Sequence, residues 1–529
     1  MKQLGIPRST LQHWLKRRDS IDEDSEVVAF FESPVGISFL HRLTLAAHFV
    51  MTMLGPCGIR LVCLFLELTG LDRFVAVSYG AQQKVSVDME EAIVTFDGEE
   101  RSRLASGMPP KKIAICEDET FHPETCLVGI EPISNFILLE KYTTSRKAEE
   151  WSTSLKDAMA GLPVEVVQST SDEGRGIRHH VEEDLGVHHS PDVFHVQHEL
   201  FKGTGVILAN QKKRAENAAD EARREVDQKE AEKEVYFSKK ASRGRPPQFD
   251  KRIAEAQAQE SEARKLFETA QYHQEKAKEA IRGIGKDYHP YDLETGAPRS
   301  AEEVSSALEQ RFAEIEKIAS EANLPERCTK KIKKAKRVMV SMVATIAFFF
   351  LTVRAKVEAL SLAPDIERAV YNNLIPGIYL RLASAKAKSA VERKKLQNKS
   401  KELLAPLFGA DTALNFLEEE DRSLLWLVAE ECAQLFQRSS SCVEGRNGQL
   451  ALRHHSLHRL RNRKLAALTT VHNYFVERRD GTTAAERLFG SKPRDLFQYL
   501  LERVDLPGRP AKKRSQQKTK EHLVLKNAA

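Results

Sequence analysis

The chain lacks any paired-cysteine motif. Its seven cysteines stand at positions 57, 63, 116, 126, 328, 432 and 442, and no CxxC pair occurs among them. This spacing argues against a zinc knuckle or a disulfide framework, and it predicts free thiols in a reducing compartment. The chain also opens without the basic, apolar and small-residue segments of a secretory signal peptide. We therefore predict a cytoplasmic location.

Uninterrupted apolar runs of membrane-spanning length are also missing. The run 338–353 is uncharged for 16 residues, which is short of the roughly 20 that a spanning helix needs. The stretch 43–59 carries His48 and is broken by glycine and proline. Both segments are predicted to be buried helices, with 338–353 at the centre of a helical region, and no membrane partner is expected.

Positive charge is clustered along the chain. The formal net charge is +5, yet residues 506–529 alone carry seven Lys or Arg against one Glu. Three further basic clusters lie at 330–337, 386–395 and 453–464. Any single cluster is explained equally well as a solvated helix face. Together, the four clusters favour binding to a polyanion such as nucleic acid.

The first 25 residues carry one half of a DNA-binding motif. In "IPRSTLQHWLKRR" the apolar residues Leu11, Trp14 and Leu15 share one helical face. The opposite face is predicted to enter a DNA groove through Arg8, Gln12, His13, Lys16 and Arg17. No supporting first helix precedes it, so the alternative is a plain basic helix.

The chain changes pattern several times after this motif. Residues 26–107 are predicted to form a helical domain, and 108–200 carry β-type runs in the order βββαβαβ, which is that of the ribonuclease-H-like fold. Residues 201–436 have helical composition throughout. Residues 437–490 predict two helices joined by a turn, and 491–529 a basic tail. The fold class is therefore α/β, with a mixed five-stranded sheet and a large all-helical insertion.

Three acidic positions stand out by their context. Asp118 ends the first predicted strand, Asp172 ends the fourth, and Glu444 begins a late helix. The first and fourth strands are neighbours in a ribonuclease-H-like sheet, so Asp118 and Asp172 are expected side by side. Paired carboxylates of this kind hold two Mg²⁺ ions, which activate a hydroxyl group and stabilise a leaving oxygen. Glu119 is an alternative first acid, and Asp192 an alternative second.

These segments resemble the DDE-type transposases of bacterial insertion sequences. The resemblance rests on "AICEDETF", "VVQSTSDEGRGI", "DVFHVQHEL" and "SSCVEGRNGQL", in this order. It covers roughly 110–200 and 438–490, and several branches of that family carry a helical insertion before the final Glu.

The resemblance implies a catalytic triad and a function. Family members show an Asp-Glu-Thr-like run at the first acid, which selects Asp118, and the set is completed by Asp172 and Glu444 as ligands of two Mg²⁺ ions, for which Mn²⁺ is expected to substitute. Asp192 and His195 would then brace the site or touch DNA. The implied partners are terminal inverted repeats, target DNA and a second copy in a homodimer or larger synaptic assembly. A nucleoid-associated bacterial protein is expected.

The helix that carries Glu444 is rich in further candidate DNA contacts. The predicted phosphate-binding residues are Arg446, Asn447, Arg453, Arg459, Arg461, Arg463 and Lys464. No GxxxxGK[ST] loop occurs, so no nucleotide cofactor is expected. Two other functions fit the same residues: a non-catalytic DNA-binding protein derived from a transposase, and a structure-selective nuclease on the same fold.

Overall fold

The computed structural model describes residues 12, 23–121, 124–239, 245–409, 412, 414, 417–457 and 460–508. The chain divides into two compact units. The first unit comprises Met1–Lys112, Asp118–Glu165 and Cys442–Ala529, and the second comprises Ile113–Glu117 and Val166–Ser441. Of the predicted N-terminal DNA contacts, only the exposed Gln12 is among the described residues. Arg8, His13, Lys16 and Arg17 lie outside them, as does Arg459.

The N-terminal part of the first unit is helical. Its helices are α1 (Ser25–Glu32), α2 (Pro34–His48), a π-helical turn (Phe49–Leu54), α3 (Ile59–Leu68), a 3₁₀ turn (Leu71–Arg73) and α4 (Tyr79–Ser106). Side chains that cap orphan N–H groups start several of them, as Ser33 does for α2 and Ser78 for α4. A small apolar core containing Leu40, Val62 and Leu66 holds these helices together.

A five-stranded mixed sheet follows. Its elements are β1 (Lys111–Phe121), β2 (Thr125–Glu131), β3 (Phe136–Thr143), α5 (Ala148–Met159), β4 (Val164–Ser171), α6 (Arg175–His179), a π-helical turn (His180–Asp184) and β5 (His188–Pro191). The strand order is β3-β2-β1-β4-β5. Strands β2 and β3 form an antiparallel hairpin, and β4 and β5 are parallel. The predicted succession of elements is confirmed, and so is the adjacency of the first and fourth strands.

The remainder of the second unit is a helical region. Its helices are α7 (Val193–Ser238), α8 (Phe249–Asp287), α9 (Ala301–Glu321), α10 (Glu326–Arg337), α11 (Met339–Glu358), α12 (Pro364–Ala369), a π-helical turn (Val370–Leu374), α13 (Ile375–Lys386), α14 (Ala390–Leu404), a 3₁₀ turn (Ala405–Phe408) and α15 (Glu419–Gln434). Helices α7 and α8 pack along each other as a long pair. A capping box between Ser300 and Glu303 starts α9. The core of this region is apolar and aromatic, with Phe312, Phe349 and Tyr288 fully buried.

Four helices complete the first unit. They are α16 (Ser441–Leu457), α17 (Asn462–Tyr474), α18 (Ala484–Phe489) and α19 (Leu496–Arg503). Helix α17 packs against α4 and β3. The side chain of Asn473 on α17 bonds the backbone of Ile137 on β3 in both directions, at 2.9 and 3.0 Å. The late helices are thereby fixed to the edge of the sheet.

Two sequence predictions about this region were wrong in detail. The last strand of the predicted order βββαβαβ falls on "DVFHV", where it would run into a helix, but β5 ends at Pro191 and Val193 already begins α7. Asp192 accepts a hydrogen bond from the Phe194 N–H at 2.7 Å and so caps that helix. Asp118 was predicted to end the first strand, but β1 continues to Phe121.

Two helical segments among the described residues are long and apolar enough to cross a membrane, by length and composition alone. They are Pro34–Leu54, with 44% of its apolar window buried, and Glu326–Glu358, with 28%. Core helices of soluble proteins pass the same test. On α11, Met342 and Ile346 are buried while Val340 and Leu351 are exposed. The helix was predicted to be central, but it is only half-buried.

We expect the protein to lose stability below neutral pH. Burial lowers the pKa of His188 and of His472 from 6.5 to about 4. The unfolded chain therefore binds these protons first, so the stabilisation is complete above about pH 6.5 and declines as the pH falls towards 4. Each group contributes up to about 1.4 kcal/mol per pH unit.

The measurement is the free energy of unfolding in urea at pH 7.5 and pH 5. His472→Gln should lose less stability between these two values than the wild type, and the exposed His455→Gln should lose as much as the wild type. Equal losses in all three proteins would contradict the assignment.

Candidate metal centre

Two acidic side chains from distant parts of the sequence come together in the first unit. Asp118 lies on β1 and is 7% exposed, while Glu444 lies in the first turn of α16. A carboxylate oxygen of one lies within 4.8 Å of a carboxylate oxygen of the other. Like charges at this distance repel each other, and a cation or hydrogen-bond donors offset the repulsion. Carboxylate oxygens are also the ligands that Mg²⁺ prefers.

A buried ion pair anchors the helix that carries Glu444. The guanidinium of Arg446 donates to both oxygens of Glu140 on β3, at 2.7 and 2.6 Å. Neither side chain is more than 5% exposed, and the Thr469 hydroxyl donates a further hydrogen bond to Glu140 at 2.5 Å. Paired, charge-assisted hydrogen bonds of this kind fix orientation as well as distance. They set the position of α16 on the sheet.

The far end of α16 is held by Arg453. Its guanidinium donates to four backbone carbonyls, those of Thr52, Met53, Leu54 and Gly55. These carbonyls belong to the end of the π-helical turn and the residue after it. The last carbonyls of a helix have no N–H partner within the helix, so they need donors from elsewhere. Burial lowers the pKa of Arg453 to about 10, which still leaves the side chain charged at neutral pH.

Of the three consecutive acids on β1, the two that flank Asp118 have other partners. Glu119 pairs with Arg146 and accepts a hydrogen bond from the Trp151 indole at 3.2 Å. Glu117 belongs to the second unit, is fully buried, and accepts a hydrogen bond from the Ser169 hydroxyl at 2.5 Å. Its carboxylate also lies 3.3 Å from His180 Nε2. These contacts leave Asp118 as the acid of this run that meets Glu444.

Asn447 is the third side chain at this place. It lies one helical turn after Glu444, and its amide nitrogen donates to Asp118 Oδ2 at 3.4 Å. The other oxygen of Asp118 accepts the Glu119 N–H at 2.8 Å. The carboxylate of Asp118 is thus held from two sides.

The remaining predicted acids lie in the second unit. Asp172 follows β4, and its carboxylate accepts the Gly174 N–H at 2.9 Å. Its neighbour Glu173 lies 3.4 Å from Arg178, and burial raises the pKa of Glu173. Among the residues that the structure describes, no other acidic side chain is hydrogen-bonded to Asp172.

Asp192 serves the fold of the second unit. It is 1% exposed and, besides capping α7, accepts hydrogen bonds from the backbone N–H and the hydroxyl of Ser440. His195 Nε2 lies 4.0 Å from its carboxylate. Because its oxygens bond these three donors, Asp192 is less suited to be a metal ligand than Asp172.

Several basic residues predicted to contact DNA are used inside the first unit. Arg446 and Arg453 make the contacts given above. Lys464 is 3.3 Å from Glu90, and Arg463 pairs with Glu90 and Glu91. These four cations hold α16 and α17 in place. Arg446 and Lys464 are largely buried, which makes them poorly placed to contact DNA, whereas Arg463 is 36% exposed. Arg461 is exposed, and DNA contact by Arg461 and Arg463 stays a prediction.

Residues 370–516 match a sequence family of unknown function, DUF6399. The matched segment includes Glu444, Arg446 and Asn447, and it ends beyond α19. No curated protein and no solved structure matches the chain.

Sequence reasoning missed Glu140, although a signal for it was present. It follows four apolar residues in the strand "FILLEKYT", and its side chain is fully buried whereas that of the next residue, Lys141, is exposed. An acid on the buried face of a strand indicates a buried partner of opposite charge. The sequence alone does not tell which of many arginines that partner is.

Proposed function

We propose that this protein is a DNA transposase that cleaves and joins DNA strands with Mg²⁺. The observation that carries the proposal is the meeting of Asp118 and Glu444, whose carboxylate oxygens lie within 4.8 Å although one is on β1 and the other on α16. The order βββαβαβ and the adjacency of β1 and β4 support the finer assignment of the sheet to the ribonuclease-H-like fold. Asp172, which follows β4, is proposed as the remaining acid.

The residues fit a hard divalent cation by their chemistry. Asp118, Glu444 and the proposed Asp172 offer carboxylate oxygens, which are the ligands that Mg²⁺ prefers. Bound Mg²⁺ would lower the pKa of a coordinated water and stabilise the oxygen that leaves phosphorus. The three carboxylates would hold the cation, and the Asn447 amide and the Glu119 N–H would keep Asp118 oriented.

Helix α10 supplies the cationic surface that DNA binding needs. It carries seven Lys or Arg and one Glu, and Arg327, Lys330, Lys334 and Arg337 follow one another at helical spacing on an exposed stripe. Within the described part of the chain, Lys333 and Arg337 have no ion-pair partner. Lys334 acts electrostatically on Glu173, the neighbour of Asp172. The stripe therefore lies on the side of the second unit that bears Asp172.

We expect charge reversal on α10 to weaken DNA binding strongly. The variant Lys330→Glu/Lys333→Glu/Arg337→Glu should bind duplex DNA more weakly, and the slope of log K against log salt should fall by about 0.9 for each phosphate that the helix no longer neutralises. Fluorescence anisotropy over a range of salt concentrations measures both quantities. The control is Arg252→Glu/Lys265→Glu/Lys278→Glu, three exposed cations on α8. An unchanged slope in the α10 variant would remove this helix from the interface.

The proposed reaction is tested on the DNA that flanks the coding region. Plasmids carrying both flanks are incubated with the protein in Mg²⁺, in Mn²⁺ and in EDTA, and cut and joined products are separated on a gel. A transposase cuts at the ends and joins them to new DNA only when metal is present, and Asp172→Ala does neither.

The other two functions predict different products. Cutting without joining would favour the nuclease. Metal-independent binding without cutting would favour the DNA-binding protein.

A further inference from the structure

We infer that Asn447 supplies a third protein oxygen to the cation site formed by Asp118 and Glu444. This inference rests on the proposed function of that site and adds a ligand to it. The sequence predicts a DNA contact at this position, because Asn447 lies in a run of basic and polar residues. The geometry points to the cation instead.

Helix periodicity places Asn447 beside Glu444. Residues three apart lie on the same face of an α-helix, and both belong to the continuous helix α16. Both also reach the same carboxylate: an oxygen of Glu444 lies within 4.8 Å of Asp118, and the Asn447 amide nitrogen lies 3.4 Å from Asp118 Oδ2. Three side chains thus converge on one place in the first unit.

The amide oxygen of Asn447 is buried and has no hydrogen-bond partner among the residues that the structure describes. Buried polar atoms are nearly always paired, so an unpaired one indicates a group that the polypeptide does not supply. A cation would satisfy this oxygen and would at the same time attract the carboxylates of Asp118 and Glu444.

The position of the amide suits a cation that Asp118 shares. Its nitrogen donates to Asp118 Oδ2 at 3.4 Å, so the unpaired oxygen of the same amide group is held close to this carboxylate. Neighbouring ligands of an octahedral Mg²⁺ at 2.0–2.1 Å are about 3 Å apart.

The choice of an amide also suits the local charge. Two carboxylates match the charge of one divalent ion, and a neutral third oxygen adds a ligand without adding repulsion. A third carboxylate at this position would bind the cation more tightly but would destabilise the metal-free protein. Asn447 therefore adds a ligand to the cation without adding a third negative charge to the metal-free protein.

The test measures Mn²⁺ binding to the full-length protein without DNA, by electron paramagnetic resonance of free Mn²⁺. The variants are Asn447→Leu, which has no oxygen, and Asn447→Asp, which keeps an oxygen but has no N–H. The control is Asn462→Leu, an exposed asparagine at the start of α17. Thermal melts of each variant without metal verify that it is folded.

Three results are expected. Asn447→Leu should weaken Mn²⁺ binding by about 10- to 100-fold, the loss typical of residues that support a metal site. Asn447→Asp should bind at least as tightly as the wild type, with an affinity that falls more steeply as the pH drops, since a third carboxylate must ionise. Asn462→Leu should bind like the wild type.

The remaining outcomes separate the two proposals. If Asn447→Asp loses as much affinity as Asn447→Leu, the amide acts through its N–H on Asp118, and ligation by its oxygen is wrong. If wild type and Asn447→Leu bind equally well, Asn447 has no part in the site, and the Asp118–Glu444 site stands. If the wild type binds no Mn²⁺, the proposed function itself is overturned.

Discussion

Asp118→Asn and Glu444→Gln will each abolish metal-dependent strand cleavage while leaving the fold intact. Charge stabilisation by a bound cation is worth several kcal/mol in the transition state, and each 1.4 kcal/mol is a factor of ten in rate, so we expect a loss of about a thousandfold or more. The measurement is the single-turnover rate of cleavage of the flanking DNA at saturating protein. Because each substitution removes a metal ligand and keeps the packing of the core, duplex binding at equal salt should change little.

The same two variants will respond differently to metal in a thermal melt. Without metal, each removes one of two carboxylates whose oxygens lie within 4.8 Å, so each should melt at or above the wild-type temperature. Added Mg²⁺ or Mn²⁺ should raise the melting temperature of the wild type only, because a ligand that binds the folded state stabilises it.

Glu165→Gln is the matched control, since Glu165 is an exposed acid at the start of β4. It should cut DNA and respond to metal like the wild type. If Asp118→Asn and Glu444→Gln kept full cleavage, these carboxylates would not form the catalytic site.

Glu140→Ala will have the largest effect on stability. It leaves the Arg446 guanidinium buried without its partner, and removing one member of a buried ion pair costs about 3–5 kcal/mol. Urea unfolding at pH 7.5 measures the loss. The control is Glu150→Ala, which breaks the exposed pair with Lys141 and should cost less than about 1 kcal/mol.

A double substitution separates the charge from the packing. Glu140→Met/Arg446→Met removes both charges and fills a similar volume, and such replacements are often neutral or stabilising. If the pair serves to position α16, the double variant will regain stability but cleave DNA more slowly than the wild type, because Glu444 is no longer fixed against the sheet. If the double variant cleaved DNA at the wild-type rate, the ion pair would have no part in placing Glu444.

Local patterns carried much of the information about the fold. Alternating and continuous apolar runs predicted the strands β1 to β4, and a fifth strand that was placed on "DVFHV" and not on His188–Pro191. Ser300 followed by Glu303 has the pattern of a capping box, and α9 starts there. The prediction for "DVFHV" was wrong because a short apolar stretch fits a strand and a helix equally well. The backbone bond from Phe194 to Asp192 decides between them, and this capping interaction does not appear in a hydrophobicity pattern.

The role of the basic residues was the hardest feature to predict from the sequence. Arg453 and Lys464 belong to a basic run that reads as a DNA surface, yet one caps backbone carbonyls at 52–55 and the other pairs with Glu90. These partners lie hundreds of residues away along the chain. Helix α10 has the same kind of composition, and its cations are mostly exposed. Only the tertiary packing distinguishes the buried basic run of α16 and α17 from the exposed one of α10.

By itself, the sequence determined the succession of elements, the helical character of the region after the sheet and which carboxylates are candidates, because these depend on periodicity and neighbouring residues. The tertiary structure decided which acids meet. Glu117 and Glu119 flank Asp118, and all three carry the same charge, but Ser169 engages the first and Arg146 the second. Asp118 meets Glu444 because Arg446 and Glu140 hold α16 against β3, and long-range interactions of this kind exist only once the chain has packed.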